Sequence, residues 1–256
     1  MRTSMTTAPN APAWLIAMPI AHRGFHDPSN GIFENTLSAA KEAIERGYAI
    51  ECDIQETKDG EIVVFHDDDL DRLTSECGPV LLKNKEQLGS LRVGTSNDTI
   101  PCLSDFLDAI GGRVPLIVEI KSRFDGNTSL AERVCEAARH YSGPVALKSF
   151  DPDVVAAVRH HAPDIPRGVI GLADYSHGEW DGLSKDKKNQ LANLLHFPQT
   201  QPDFLSWYVG DLRNSAPFLT RLLGHRPVLA WTVRTGEQRE EAARYADQMI
   251  FEGFIP

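Results

Sequence analysis

The chain has 256 residues, 41% hydrophobic and 24% charged, with a formal charge of −10 from 26 basic and 36 acidic side chains. Such a length buries most of a core without disulfide or metal staples, and it is a size at which α/β barrels form one domain. The negative charge argues against a nucleic-acid partner, whose affinity rests on Lys and Arg at phosphates. It leaves room for a small anionic substrate, because a local cation reverses the field inside a pocket.

Residues 1–12 read as a flexible lead-in. The apolar patch at 13–20 is interrupted by Pro19 and is too short to span a membrane, so no stable membrane insertion is expected. It resembles a weak secretory signal, yet cleavage after Ala21 would remove the strand that leads into His22. Cys52, Cys77, Cys102 and Cys135 form no C-x-x-C pair and no zinc spacing, and so few cysteines suggest a reduced compartment, the cytoplasm.

A first strand over 20–22 ends at His22-Arg23-Gly24, and a Gly/Asn/Pro-rich loop follows through Ile32. A helix is predicted over 35–46, with Asn35 or Thr36 as N-cap and Gly47 as its stop. The second strand covers 48–54, and after the turn at Lys58-Asp59-Gly60 the chain returns over 61–65 to deliver His66. Residues 67–101 lack strong periodicity and read as an insertion over one face, with a small helix near 85–91. Beyond it the pattern becomes regular. Strands are predicted at 116–121, 145–150, 167–171, 204–209, 228–233 and 248–252. Helices are predicted at 105–110 (capped by Ser104), 130–140, 151–161, 185–195, from Ser215 and at 237–245. Strand-helix alternation of this kind implies parallel strands with right-handed crossovers. Eight units in this length suggest a closed TIM (β/α)8 barrel spanning 13–256 as one domain, with a small insertion after the second strand.

Active sites of such barrels lie at the C-terminal ends of the strands, where His22, Glu51, Asp53, Glu119 and Lys121 all fall. Residues two apart on a strand share a side, roughly 6.5–7 Å apart. Glu51 and Asp53 therefore face one way and Cys52 the other, and Glu119 and Lys121 share a side likewise. Three carboxylates suit a hard cation, Mg2+ or Ca2+, far better than zinc. The bland alternative is a set of buried salt bridges, for instance Lys121 with Asp53. With only Lys121 and Arg23 nearby, however, three acids repel strongly, which favours a metal. His22 and His66 form a pair that can divide proton transfers at neutral pH. Arg23 suits bidentate contact with a phosphate, against a surface salt bridge as its ordinary role. Trp231 is a core residue or a wall of the mouth, and its place where the strand is ending favours the wall. His26, His140, His160 and His196 read as packed or solvated, Glu34 as structural, and Asp67-Asp68-Asp69 as solvated or helix-capping. Glu252 is a weaker candidate, adding negative charge or bonding to backbone.

These pieces, taken in order, resemble the glycerophosphodiester phosphodiesterase family. The matching runs are A-H-R-G at 21–24, E-N-T at 34–36, E-C-D-I at 51–54 and D-G-E-I-V-V-F-H-D-D-D-L-D-R-L-T at 59–74. I-P-C-L-S-D-F-L at 100–107, V-E-I-K at 118–121 and A-W-T-V at 230–233 carry it nearly to the C-terminus. The resemblance implies a TIM barrel and one divalent cation on Glu51, Asp53 and Glu119. It implies His22 and His66 as the acid-base pair, with Arg23 and Lys121 near the phosphate. The implied reaction is hydrolysis of a glycerophosphodiester to glycerol 3-phosphate and an alcohol through a cyclic phosphate. Two departures stand out. Phe33 precedes Glu34 where the family usually has Pro, and the C-terminal I-F-E-G-F-I-P replaces a segment closer to I-I-T-D-x-P, which bears on substrate preference. The alternatives are a lysophospholipase D-like or other unusual phosphodiester hydrolase, and a catalytically silent barrel that binds phosphodiesters.

Overall fold

The computed structural model describes residues 11–256, the side chain of Glu179 excepted. In chain order its strands are β1 (Ile20–Ala21), β2 (Ala49–Glu56), β3 (Ile62–Val64), β4 (Leu116–Ile120), β5 (Val145–Ser149), β6 (Arg167–Gly171), β7 (Phe204–Tyr208), β8 (Val228–Val233) and β9 (Gln248–Phe251). The helices are α1 (Leu37–Glu45), α2 (Lys85–Gly89), α3 (Leu103–Ile110), α4 (Ser129–His140), α5 (Pro152–His161), α6 (Lys185–Ala192), α7 (Phe197–Thr200), α8 (Ser215–Leu222) and α9 (Gly236–Tyr245). Strand order β1-β9-β8-β7-β6-β5-β4-β2, with β1 also paired to β2, closes a barrel of parallel strands; β3 adds an antiparallel arm to the outer end of β2. The closed TIM barrel and its insertion are therefore as the alternation of strand and helix predicts.

Period-two alternation explains both layers of the core. Ile50, Cys52, Ile54, Val118, Ile120, Leu147 and Val169 point outward against Ala40 and Ala43 of α1, Phe106 and Ile110 of α3, Val134 of α4 and Val155 of α5. Side chains on the other face fill the barrel. Its floor is apolar: Ile20, Ala49, Ile117, Ala146, Phe204, Leu229 and Ile250, sealed by Leu15 of a single 3-10 turn over Ala13–Ile16. Gly168 makes room here, since a Cβ on it would lie 2.3 Å from the Phe204 ring. Two residues further along these strands the interior turns polar, with His22, Glu51, Glu119, Lys148, Ser206 and Glu252 beside Trp231. The floor thus supplies a rigid apolar base for a charged layer above it.

The insertion has its own small core of Val63, Phe65, Leu70, Leu73, Val80, Leu88, Val93 and Ile100, on which Phe33 packs. Thr36 caps α1 by accepting from Ala39 N–H at 3.2 Å, and Asn84 with Gln87 forms a capping box on α2. The expected Ser104 cap is corrected: α3 starts at Leu103 with Cys102 at the cap position and no side-chain cap bond. An antiparallel bridge between Val63 and Cys102 fixes the backbone there, and the helix starts two residues earlier than expected. No helix among the described residues is long and apolar enough to cross a membrane. The expected lead-in through Pro12 lies, up to residue 10, outside the described residues.

Candidate active site

The mouth is organised by a sharp turn after β1. His22 N–H still donates to Phe251 O at 2.9 Å, but Arg23 then adopts φ 56° and Gly24 φ 79°, which ends the strand. Gly24 is required twice over: for its positive φ, and because a Cβ would stand 2.8 Å from the Ala39 backbone of α1. The turn aims the Arg23 N–H at Glu51 Oε2, 3.1 Å away. Asn35, also at positive φ (57°) and buried, donates to Asp53 Oδ2 at 3.0 Å and accepts from Asp53 N–H at 3.2 Å. The H-R-G and E-N-T segments are thus tied to Glu51 and Asp53 of β2.

Register across neighbouring strands does the rest. Asp53 is paired with Glu119, and Glu119 with Lys148. Glu51, Asp53 and Glu119 are all buried, and each offers a carboxylate oxygen within 4.8 Å of the others. Lys121 Nζ lies 2.9 Å from Asp53 Oδ1 and 2.7 Å from Glu119 Oε1. Lys148, 3% exposed, sits 2.9 Å from Glu51 Oε1 and 3.3 Å from Glu119 Oε2. Arg23 Nε approaches Asp53 Oδ2 at 3.3 Å. Three cations therefore meet three carboxylates. This corrects the argument that the acids repel for want of positive charge: Lys148, in the apolar run V-A-L-K-S-F, balances the third acid.

The charge states follow. Burial alone would raise the Asp53 carboxyl, but Lys121, His66, Arg23 and His22 outweigh it and hold it well below the usual range. Burial likewise opposes ionisation of Glu119, and Lys121 and Lys148 overcome it and lower its pKa. For Lys148 the signs reverse: burial lowers its pKa, while Glu51 and Glu119 more than restore it. Glu34, expected to be structural, takes Arg23 Nη1 at 2.5 Å and Arg72 Nη2 at 2.8 Å on Oε1. Burial raises its carboxyl, but Arg72 and Arg23 bring it down to about 2.

Both histidines lean on carboxylates. His66, just past β3, places Nδ1 2.7 Å from Asp67 Oδ1, and Arg72 Nε donates to Asp67 Oδ2 at 2.6 Å. Asp67 is thus neither free in solvent nor a helix cap. His22 Nδ1 lies 2.5 Å from Glu252 Oε2, and Arg234 Nε donates to Glu252 Oε1 at 2.6 Å. The link from Glu252 joins residues 230 apart in sequence, so no local pattern announces it.

His22, Arg23, Asp53, His66, Glu119 and Lys121 line one side of a cavity of about 720 Å³, whose other side carries Phe150, Trp180, Tyr208 and Trp231. Trp231 Nε1 donates to Ser206 O at 2.9 Å, and its ring stands edge-on to Phe150 at 5.5 Å and beside Tyr208 at 5.7 Å. The structure thus brings all eight predicted site residues to one region. Sequence reasoning passed over Lys148, Asn35, Asp67, Arg72 and Arg234. Only Lys148 had a local signal, a cation inside an apolar strand.

The glycerophosphoryl diester phosphodiesterase family model matches residues 22–255. A glycerophosphodiester phosphodiesterase of Caldanaerobacter subterraneus subsp. tengcongensis is 34% identical over 171 residues, 62% of this chain and 69% of that protein. The Bacillus subtilis protein YhdW is 32% identical over 226 residues, 84% of this chain and 85% of its own length. Among solved structures, an Oleispira antarctica phosphodiesterase in complex with the product sn-glycerol-3-phosphate shares the fold, with a TM-score of 0.72 at 21% identity over 93% of each chain. A Thermotoga maritima glycerophosphodiester phosphodiesterase gives 0.68 at 22% identity, covering 91% of this chain and 93% of that one. The chain belongs to the glycerophosphoryl diester phosphodiesterase family of enzymes.

Proposed function

We propose that this enzyme hydrolyses glycerophosphodiesters to glycerol 3-phosphate and an alcohol, with His22 and His66 as the acid-base pair. One divalent cation, Mg2+ or Ca2+, is held by Glu51, Asp53 and Glu119. The observation that carries the reading is that two carboxylate-oriented histidines line one cavity together with Asp53 and Glu119, which form a buried triad of acids with Glu51. The donor set fits a hard cation: all three ligands are carboxylates, and Glu51 Oε1 makes no directed hydrogen bond, only an ion pair to Lys148. When bound, the cation supplies Lewis acidity toward a phosphoryl oxygen.

The chain's own side chains do the remaining work. Lys121, 22% exposed at the mouth, and Arg23 hold the remaining phosphoryl charge, while Lys148 stays below on Glu51 and Glu119. One histidine takes the proton from the glycerol 2-hydroxyl as that oxygen attacks phosphorus and closes a cyclic phosphate. The other histidine protonates the departing alcohol. The attack is intramolecular and starts with a large effective concentration. Water then opens the ring with the histidine roles exchanged.

The small-molecule diester, rather than nucleic acid, fits the chain's negative charge, and four free cysteines fit a reducing compartment, the cytoplasm. The aromatic side of the cavity favours a second reading, an apolar alcohol and hence a lysophospholipid as substrate. The silent-barrel alternative has against it that both histidines and all three acids are in place. The deciding experiment measures glycerol 3-phosphate release from glycerophosphodiesters and lysophospholipids with Mg2+, Ca2+ or chelator, for wild type and His22→Ala. Cation-dependent turnover lost in His22→Ala is expected. Absence of turnover by folded protein with either cation would overturn the reading.

A further inference from the structure

Closure of the barrel brings β1 beside β9, with Ala21 opposite Phe251. One residue further on, His22 and Glu252 are neighbours on the inner face, and the imidazole Nδ1 lies 2.5 Å from Glu252 Oε2. The carboxylate is itself anchored. Arg234 Nε donates to its other oxygen at 2.6 Å, Glu252 N–H donates to Val233 O at 3.1 Å, and His26 Nε2 stands 3.5 Å from Oε2. Glu252 is half-buried, with His22 closer to Oε2 than His26 is.

From this arrangement we infer that Glu252 is the positioning residue for His22, holding the proton on Nδ1 so that bare Nε2 faces the cavity, with Arg234 fixing the carboxylate. An ionised carboxylate accepts only, so its contact to Nδ1 requires a proton on that nitrogen in the neutral ring. Nε2 then points inward, 4.0 Å from Glu51 Oε2, where a substrate proton can be received or returned. The pairing matches the one at the other histidine, where Asp67, held by Arg72, lies against His66 Nδ1. His22, His26 and Glu252 each bring one possible ligand atom within 4.8 Å of the others, as a small metal site would. The Arg234 charge on the same carboxylate opposes a cation there and favours the hydrogen-bonded arrangement.

The inference deepens the proposed reaction and rests on it for its kinetic arm alone. Its test labels the full chain with 15N-histidine and reads the ring nitrogens of His22, assigned by comparison with His22→Gln. A protonated Nδ1 with a far-downfield proton and an unprotonated Nε2 is expected in wild type. Glu252→Ala should release the ring to a mixture of tautomers and lower kcat by about 10²-fold with KM unchanged. Glu252→Asp, which keeps the charge on a shorter stem, should recover part of that loss. Glu252→Gln preserves shape for folding but accepts more weakly, so the ring proton should move upfield and kcat fall. A wild-type His22 protonated on Nε2, or a folded Glu252→Gln with unaltered ring signals and kcat, would overturn the inference. If wild type turns over none of the diesters, the reaction reading fails, while the ring spectrum still decides the orientation.

Discussion

Replacing Lys148 by Met tests the electrostatics of the site without requiring turnover. The lysine is 3% exposed and lies 2.9 Å from Glu51 and 3.3 Å from Glu119. Met fills a similar volume, so the main loss is charge: two buried carboxylates keep their desolvation cost and lose a partner. Breaking a buried pair this way costs about 3–5 kcal/mol. At about 2–4 °C per kcal/mol for a chain of this size, thermal unfolding in chelator should fall by roughly 6–20 °C. A divalent cation at the triad should offset much of it, because it replaces the missing charge. The gain is about 2.7 kcal/mol at a hundredfold excess over Kd, and the variant should bind the cation more tightly than wild type does. Differential scanning calorimetry of both proteins, in chelator and in a Mg2+ or Ca2+ series, measures each quantity. A loss under about 1 kcal/mol would refute the pairing. An equal loss with and without cation would refute the placement of the cation on Glu51 and Glu119.

Asn35→Ala removes two bonds to buried Asp53 and puts Ala at φ 57°, so urea denaturation should show a loss of about 1–3 kcal/mol. Gly168→Ala drives a methyl into the Phe204 ring on the barrel floor, and the same assay should show a loss of about 1–3 kcal/mol. The folded-state pKa of Glu34 is depressed from 4.5 to about 2, so its stabilising contribution is present above the unfolded value and disappears as pH falls toward 2. In Glu34→Gln the stability curve between those pH values should be flatter than in wild type, as measured by denaturant midpoints across the range.

How much of this was legible follows from the distance over which each relationship acts. Strand period is local, so E-C-D and E-I-K disclosed that Glu51 and Asp53, and Glu119 and Lys121, share a side. That Asp53 stands beside Glu119 depends on the β2–β4 register, which only the alternation of apolar faces implies. Lys148 carries the same local signal as Glu119 and is paired with it on the next strand, but with Ala146 and Phe150 two residues to either side it has no charged partner to mark it as part of a site. Glu252 is legible only as a weaker candidate at the end of the last strand, with nothing nearby in sequence to point to His22. Its partner lies at the other end of the chain, and their meeting depends on closure of the barrel.

Charge balance links Lys148 to the rest of the inner layer. Glu51, Asp53 and Glu119 meet Lys148, Lys121 and Arg23, so the inner layer holds together on the chain's own charges. Adding a divalent cation to a neutral set of six makes the mouth positive in a protein whose overall charge is −10. An anionic phosphodiester is then attracted by the field of this layer alone, against the average field of the surface. On the proposed reading the lysines would serve two ends: they stabilise the acids in the fold, and they would leave the charge of a bound cation unspent for the substrate.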